Sequence, residues 1–278
     1  MPALQLSGLR HLIGGGCYVL YFGLFQKQWP KAKQIPQIIW MAILMFVLSN
    51  GLSVLSVVYL PSGLGSVVGA IAPIWVVLFS LMMFKHIQFK KQTILGIAMG
   101  FIGVVLAFYD FFEEIQKTNF YLGIVYGLIS SITWALATLL TVKHAEKMNP
   151  YFSLGWQMFT SGVLLNLFAY GTGNFVRYDQ VPLNAWLSIG YLVIVGSVLA
   201  FGAYIYALKR LPATLVSVHA YINPIVALIL GTVLMQERMT LFVVSGAGIT
   251  LWGVYLVNNS FRRKINFQKQ TAAPATTD

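Results

Sequence analysis

His219 and Asn223 stand four residues apart, and Pro224 follows at once. On a helix that spacing puts an imidazole and a carboxamide on one face, one turn apart. An imidazole titrates near neutrality and carries protons. A carboxamide donates and accepts hydrogen bonds. Together they could hold a small polar solute and pass a proton beside it. Asn50 (with Ser49 before it), Trp134, Thr138, Tyr204 and Trp75 also lie in apolar surroundings. A few convergent polar groups in an apolar pocket are the usual form of a small-molecule site. Arg10 and His11 fall inside an apolar stretch as well, where charge is expensive and therefore points to function. Arg10 is a candidate anion contact.

Each residue has a plainer alternative. His219 could be a neutral imidazole donating to a carbonyl of the next helix. Arg10 could snorkel to the outer surface. Each Asn or Thr could bond a neighbouring helix, worth about 0.6 kcal/mol on average.

These residues need elements to position them, and composition says which. The chain has 278 residues, 58% hydrophobic and 9% charged. Soluble domains carry about 25% charged residues, so most of this chain's surface must face lipid. Apolar stretches near 4–25, 38–59, 64–84, 92–109, 120–142, 151–171, 184–207, 213–235 and 240–258 suit nine transmembrane helices. They are too long, and too uniformly apolar, for barrel strands.

The net charge of +11 does not point to nucleic acid, because the basic residues sit in short gaps between the apolar runs. They are unequally shared. Fourteen of 18 lie on one side: Lys27, Lys31 and Lys33; Lys85, Lys90 and Lys91; Lys143 and Lys147; Lys209 and Arg210; and Arg262, Arg263, Lys264 and Lys269. Only Arg10, Lys117, Arg177 and Arg238 fall on the other. Positive loops stay cytoplasmic, so the C-terminus is expected inside and Met1 outside. Cys17, the one cysteine, has no partner for an internal disulfide.

The chain also repeats itself. "LPSGLGSVVGAIAPIWVVLFS" from Leu60 and "LPATLVSVHAYINPIVALILG" from Leu211 place Pro61 and Pro212, and Pro73 and Pro224, at one constant offset of 151 residues. "GIAMGFIGVV" from Gly96 matches "GAGITLWGVY" from Gly246, and "SGLRHLIGG" matches "LGWQMFTSG" with Gly8 under Gly155. The first unit covers 1–109 with four helices. A linker loop at 110–119 follows, then a five-helix unit at 120–259 and a basic polar tail at 260–278. An odd helix count in the second unit makes the two copies insert in opposite orientation, the plan of transporters with a midplane site. Pro73 and Pro224 then bend matched helices, as cavity linings or as packing kinks. Gly96, Gly100, Gly103, Gly246 and Gly253 offer close packing within the chain or between two copies in a homodimer.

On "SGLRHLIGG", "SSITWALATLL", "YALKRLPATLVSVHAYINPIVALILGTVLMQERMT" and "GAGITLWGVYL" the chain resembles the EamA-type family of the drug/metabolite transporter superfamily, over nearly its whole length. The resemblance implies a ten-helix bundle of two inverted five-helix units. It also implies export or exchange of small metabolites across a bacterial plasma membrane. Against that pattern the first helix is absent, and Met1 need not be the natural start. Glu237 fits the family's Gly-Glu-Arg turn, and Lys85-His86 replaces it in the first half. Asn223 stands where the family often has Glu, which removes a carboxylate from any ion coupling.

The seven acids, Asp110, Glu113, Glu114, Glu146, Asp179, Glu237 and Asp278, all fall in loops, at helix ends or in the tail. No motif for a nucleotide, cofactor or metal is present, and no catalytic set. The expectation is an all-α integral membrane protein that transports amino-acid-like or related small molecules by alternating access. The alternatives are a membrane-embedded enzyme and a truncated, non-transporting remnant.

Overall fold

The two Leu-Pro steps end two helices in the same way. Leu60 and Leu211 leave the helix in extended conformation, with φ/ψ of −116/145° and −125/148°. A residue before proline is driven from the helical region by the ring's Cδ. Each proline then opens the next helix, where its missing N–H is not needed.

The computed structural model describes residues 1–83, 91–109, 119–145, 148–236 and 239–271. These residues are all-helical, without strands. α1 is Ala3–Leu20, continued by a wide turn at Tyr21–Phe25. Then come α2 (Ala32–Tyr59), α3 (Ser62–Met83), α4 (Lys91–Ala107), α5 (Phe120–His144), α6 (Pro150–Gly171) and α7 (Leu183–Arg210). α8 runs in three pieces, Ala213–Val216, a 3-10 turn at Ser217–Tyr221, and Ile222–Met235. α9 is Leu241–Thr271. Helices α2, α3, α5 and α7 are long and apolar enough to cross a membrane. α9 passes well beyond its apolar part, so the expected tail is helical as far as Thr271. The expected loop acids Asp110, Glu113 and Glu114, along with Glu146, Glu237, Lys85-His86 and Asp278, lie outside the described residues.

Two compact units form, and neither is one sequence repeat. The first is Met1–Leu60 with Tyr121–Leu211, and the second is Pro61–Phe120 with Pro212–Asp278. The chain passes between them at both Leu-Pro steps.

Inside each unit, helices matched by the repeat pack against each other, and they run antiparallel. In the first unit a Cβ added at Gly8 would meet Leu165 and Asn166, one at Gly162 would meet Leu12, and one at Gly15 would meet Gly155 and Phe159. Contacts that move up α1 therefore move down α6. In the second unit Gly96 faces Gly253 and Gly103 faces Gly246, so α4 and α9 also run in opposite directions. Ser62–Gly69 of α3 packs on Ile222–Met235 of α8, and Ala72–Met83 packs on Ser217–Tyr221, again reversed. The contact at these glycines is backbone on backbone. In lipid no hydrophobic effect draws helices together, so small residues that let dispersion act at short range take over. The glycines of α4 and α9 thus serve packing within the chain.

Local sequence explains other ends. Asn149 caps α6 by accepting the Tyr151 N–H at 3.0 Å, with Pro150 at the first helical position. Gln5, fully buried, pairs with the Val176 backbone in both directions, at 2.7 and 3.0 Å, and ties the loop after α6 to α1.

The packing predicts a paired result. Gly15→Val should push α1 off α6 and destabilise the protein by about 1–3 kcal/mol or more. Gly16→Ala, one residue on and facing open space, should leave the melting temperature in detergent unchanged. Thermal unfolding followed by size-exclusion fluorescence checks both.

Candidate functional site

The first unit gathers five of the expected site residues. Arg10 on α1 donates from Nη2 to Asn50 Oδ1 on α2, at 3.1 Å. Asn50 Nδ2 donates in turn to the Met45 carbonyl at 3.0 Å. That carbonyl lies five residues back, within a π-helical stretch, Ile43–Gly51. Next to it, Ser49 and Ser130 of α5 exchange hydroxyl-to-carbonyl bonds of 3.1 and 2.8 Å, which lock α2 to α5.

Thr138 of α5 and Tyr204 of α7 share a hydroxyl–hydroxyl bond of 2.6 Å. Trp134 lies against Tyr204, ring centroids 5.1 Å apart, and against Phe201 at 6.1 Å. Phe201 meets Phe46 at 5.1 Å, and Phe46 meets His11 edge-on at 5.0 Å. An aromatic row therefore runs from Tyr204 to His11, and Asn50 stands one turn beyond Phe46. Phe46 and Phe201 had no signal in the sequence beyond being apolar residues within long apolar runs.

The π-helical stretches were also not legible. α7 has one at Leu192–Leu199. Shifted by the repeat offset, Ile43–Gly51 falls on 194–202, so matched helices widen at overlapping places. Such turns are rare and frequent at functional sites.

Several buried polar atoms nearby have no partner among the described residues: Ser7 Oγ, Arg10 Nε, both ring nitrogens of His11, Gln157 Oε1 and Ser197 Oγ. Gln157, which occupies Arg10's place in the repeat, donates to Ser153 Oγ at 2.6 Å.

The remaining expected residues lie in the second unit. Pro73 is buried just after a break at Ala70–Ile71, as second residue of the helical piece Ala72–Met83. Pro224 is buried as third residue of Ile222–Met235, just after the 3-10 turn. Both copies thus interrupt the helix immediately before the proline. His219 Nδ1 contacts the Val216 carbonyl at 2.8 Å, in its own turn. Asn223 is exposed. The 3-10 turn advances about 120° per residue, against 100° in an α-helix, so it rotates His219 and Asn223 apart. The same-face expectation from four-residue spacing is corrected by this turn. Trp75 stacks on Phe79 at 6.3 Å and meets Phe101 edge-on at 5.8 Å, with Nε1 buried and unpartnered.

A separate open cavity of about 340 Å³ lies in the first unit, lined by Tyr18, Tyr21, Phe22, Gln26, Gln28, Asn149 and Tyr151. None of the expected site residues lines it.

The described residues, all-helical with membrane-length apolar helices and with polar and aromatic groups converging in the first unit, are built as a membrane helical bundle. The pattern of the EamA-like transporter family matches residues 1–109 and 121–259, and the chain belongs to that family. It is 26% identical over 258 residues to the uncharacterized inner membrane transporter YedA of Escherichia coli strain K12, across 92% of this chain and 81% of the relative. It is 29% identical to an uncharacterized transporter of Archaeoglobus fulgidus, across 92% and 89%. It is 25% identical to the uncharacterized transporter YvbV of Bacillus subtilis, across 92% and 83%. A solved crystal structure shares the fold with a TM-score of 0.67 at 18% identity, over 94% of this chain and 90% of that one.

The Thr138–Tyr204 bond makes a double-mutant prediction. Thr138→Val and Tyr204→Phe should couple by about 0.6 kcal/mol, and by no more than about 1.7. Unfolding of the two single variants and the double variant in detergent measures it. Strict additivity would show that the hydroxyls do not hold each other.

Proposed function

We propose that the chain is a secondary transporter of the bacterial inner membrane that exports or exchanges small organic metabolites, amino-acid-like or related, by alternating access. One observation carries this reading. Within a family of transporters, Arg10 bonds Asn50, and Trp134, Thr138 and Tyr204 touch one another, all inside the same compact helical unit. Polar groups in such surroundings are costly and are kept for a solute.

The antiparallel packing of α1 on α6, α3 on α8 and α4 on α9 supports two inverted repeats, at 1–109 and 120–259, joined by a linker at 110–119 and followed by a basic tail at 260–278. Nine spans, with Met1 outside and the C-terminus cytoplasmic, rest on the apolar runs and on the basic-residue bias of the sequence. Alternating access needs matched elements that bend or slide in opposite senses. The interruptions ahead of Pro73 and Pro224 and the paired π-helical stretches supply such elements. Asn223, exposed as the second residue of Ile222–Met235, and Trp75 are the candidate polar contact and apolar wall of the second unit. The lipid bilayer is the surrounding partner.

Purified protein in liposomes loaded with a small-metabolite extract tests the reading, with the compounds that leave identified by mass spectrometry. The wild type should release a defined set faster than protein-free liposomes. Trp134→Ala should slow that release by about tenfold, the effect of losing about 1.4 kcal/mol of solute contact. Asn223→Ala should weaken the apparent affinity for the released compounds. A wild type indistinguishable from empty liposomes would reject transport.

A further inference from the structure

Among the described residues, Arg10 is a charge without a counter-charge. Its guanidinium is protonated at any physiological pH. It sits midway along α1, half-buried, with Nη2 held by the neutral Asn50 and Nε buried without a partner. No carboxylate pairs with it among the described residues, where the ion pair found is the exposed Arg177–Asp179 contact at 3.1 Å. The other described lysines and arginines of its unit lie at helix ends or in loops. An unpaired buried charge costs more stability than a paired one, so a chain that keeps it keeps it for something absent.

The surroundings leave room for that something. Asn50 belongs to the π-helical stretch of α2, and Gly196 to that of α7. Arg10 Nη1 lies 3.9 Å from where a Cβ of Gly196 would stand, an ordinary contact distance, so glycine leaves a methyl-sized gap beside the guanidinium. Ser7, Arg10 and His11 share one face of α1 at i,i+3 and i,i+4 spacing. All three hold buried polar atoms with no partner among the described residues. Native structures leave few such atoms, and a group of them calls for a missing partner. The guanidinium still has free donors in a planar fork, and a planar fork matches a carboxylate. A single guanidinium balances a single negative charge, which a carboxylate supplies and a phosphate dianion exceeds.

Resting on the transport reading above, we propose that Arg10 binds the carboxylate of the substrate, which is therefore a small amino acid or organic acid. Asn50 is the positioning residue that holds the guanidinium between the two π-helical stretches. The aromatic row from Phe46 to Trp134 takes the rest of the solute.

Two variants in the same liposome assay test it, with melting temperature measured alongside. Arg10→Gln removes the charge. Asn50→Asp supplies an internal carboxylate in its place. The expected result has four parts: every compound released by the wild type bears a carboxylate; each variant slows that release at least tenfold; Arg10→Gln melts at or above the wild-type temperature; and Asn50→Asp melts a few degrees higher. Release of a neutral, cationic or carboxylate-free phosphate compound would overturn the proposal and leave transport standing. So would wild-type rates in either variant. Arg10→Gln melting well below wild type would assign Arg10 a structural role and overturn it too. A wild type that releases nothing would overturn transport, and this proposal with it.

Discussion

Two helices in lipid gain nothing by hiding apolar side chains from each other, because the tails around them are equally apolar. What holds them is close approach of their backbones, and in this chain glycine permits that approach. Gly15 against Gly155, and Gly103 against Gly246, bring matched helices within backbone contact in each compact unit. Other features depend on that contact. Antiparallel pairing of α1 with α6 fixes the height at which Arg10 sits. Pairing of α4 with α9 supports the unit in which the two proline helices pack on each other.

Polar chemistry is then placed by local departures from the α-helix. The π-helical stretch of α2 frees its backbone geometry enough for Asn50 to bond Met45 and still meet Arg10. The 3-10 turn ahead of Pro224 turns His219 away from Asn223 and gives its ring a carbonyl in its own turn. Both departures fall in helices that the repeat pairs, α2 with α7 and α3 with α8. A chain built of two related halves can interrupt each half at the same point, and the interruptions are where polar side chains collect.

Much of this was legible in the residues. Proline after leucine reads as a helix end on steric grounds, and Leu60 and Leu211 end their helices there. The constant offset between Pro73 and Pro224 located the interruptions, and glycine spacing located the packing surfaces. Three things were hidden. A π-helical stretch leaves no mark on hydropathy, because one extra residue in a turn does not change which residues are apolar. The exchange of helices between the two units is a long-range matter, and local pattern stops at helix ends. Convergence was hidden for the same reason: Thr138 and Tyr204 are 66 residues apart, and only folding brings their hydroxyls to 2.6 Å. The four-residue spacing of His219 and Asn223 misled because it assumed α-helical geometry through a 3-10 turn.

The central claim is that one site opens in turn to each side of the membrane. Cys17 is the chain's one cysteine and is exposed, so a Cys17→Ser background carrying Asn223→Cys reports on a single position. A membrane-impermeant thiol reagent should label that cysteine when applied to right-side-out vesicles, and also when applied to inside-out vesicles. Labelling from one face alone, however long the exposure, would contradict alternating access.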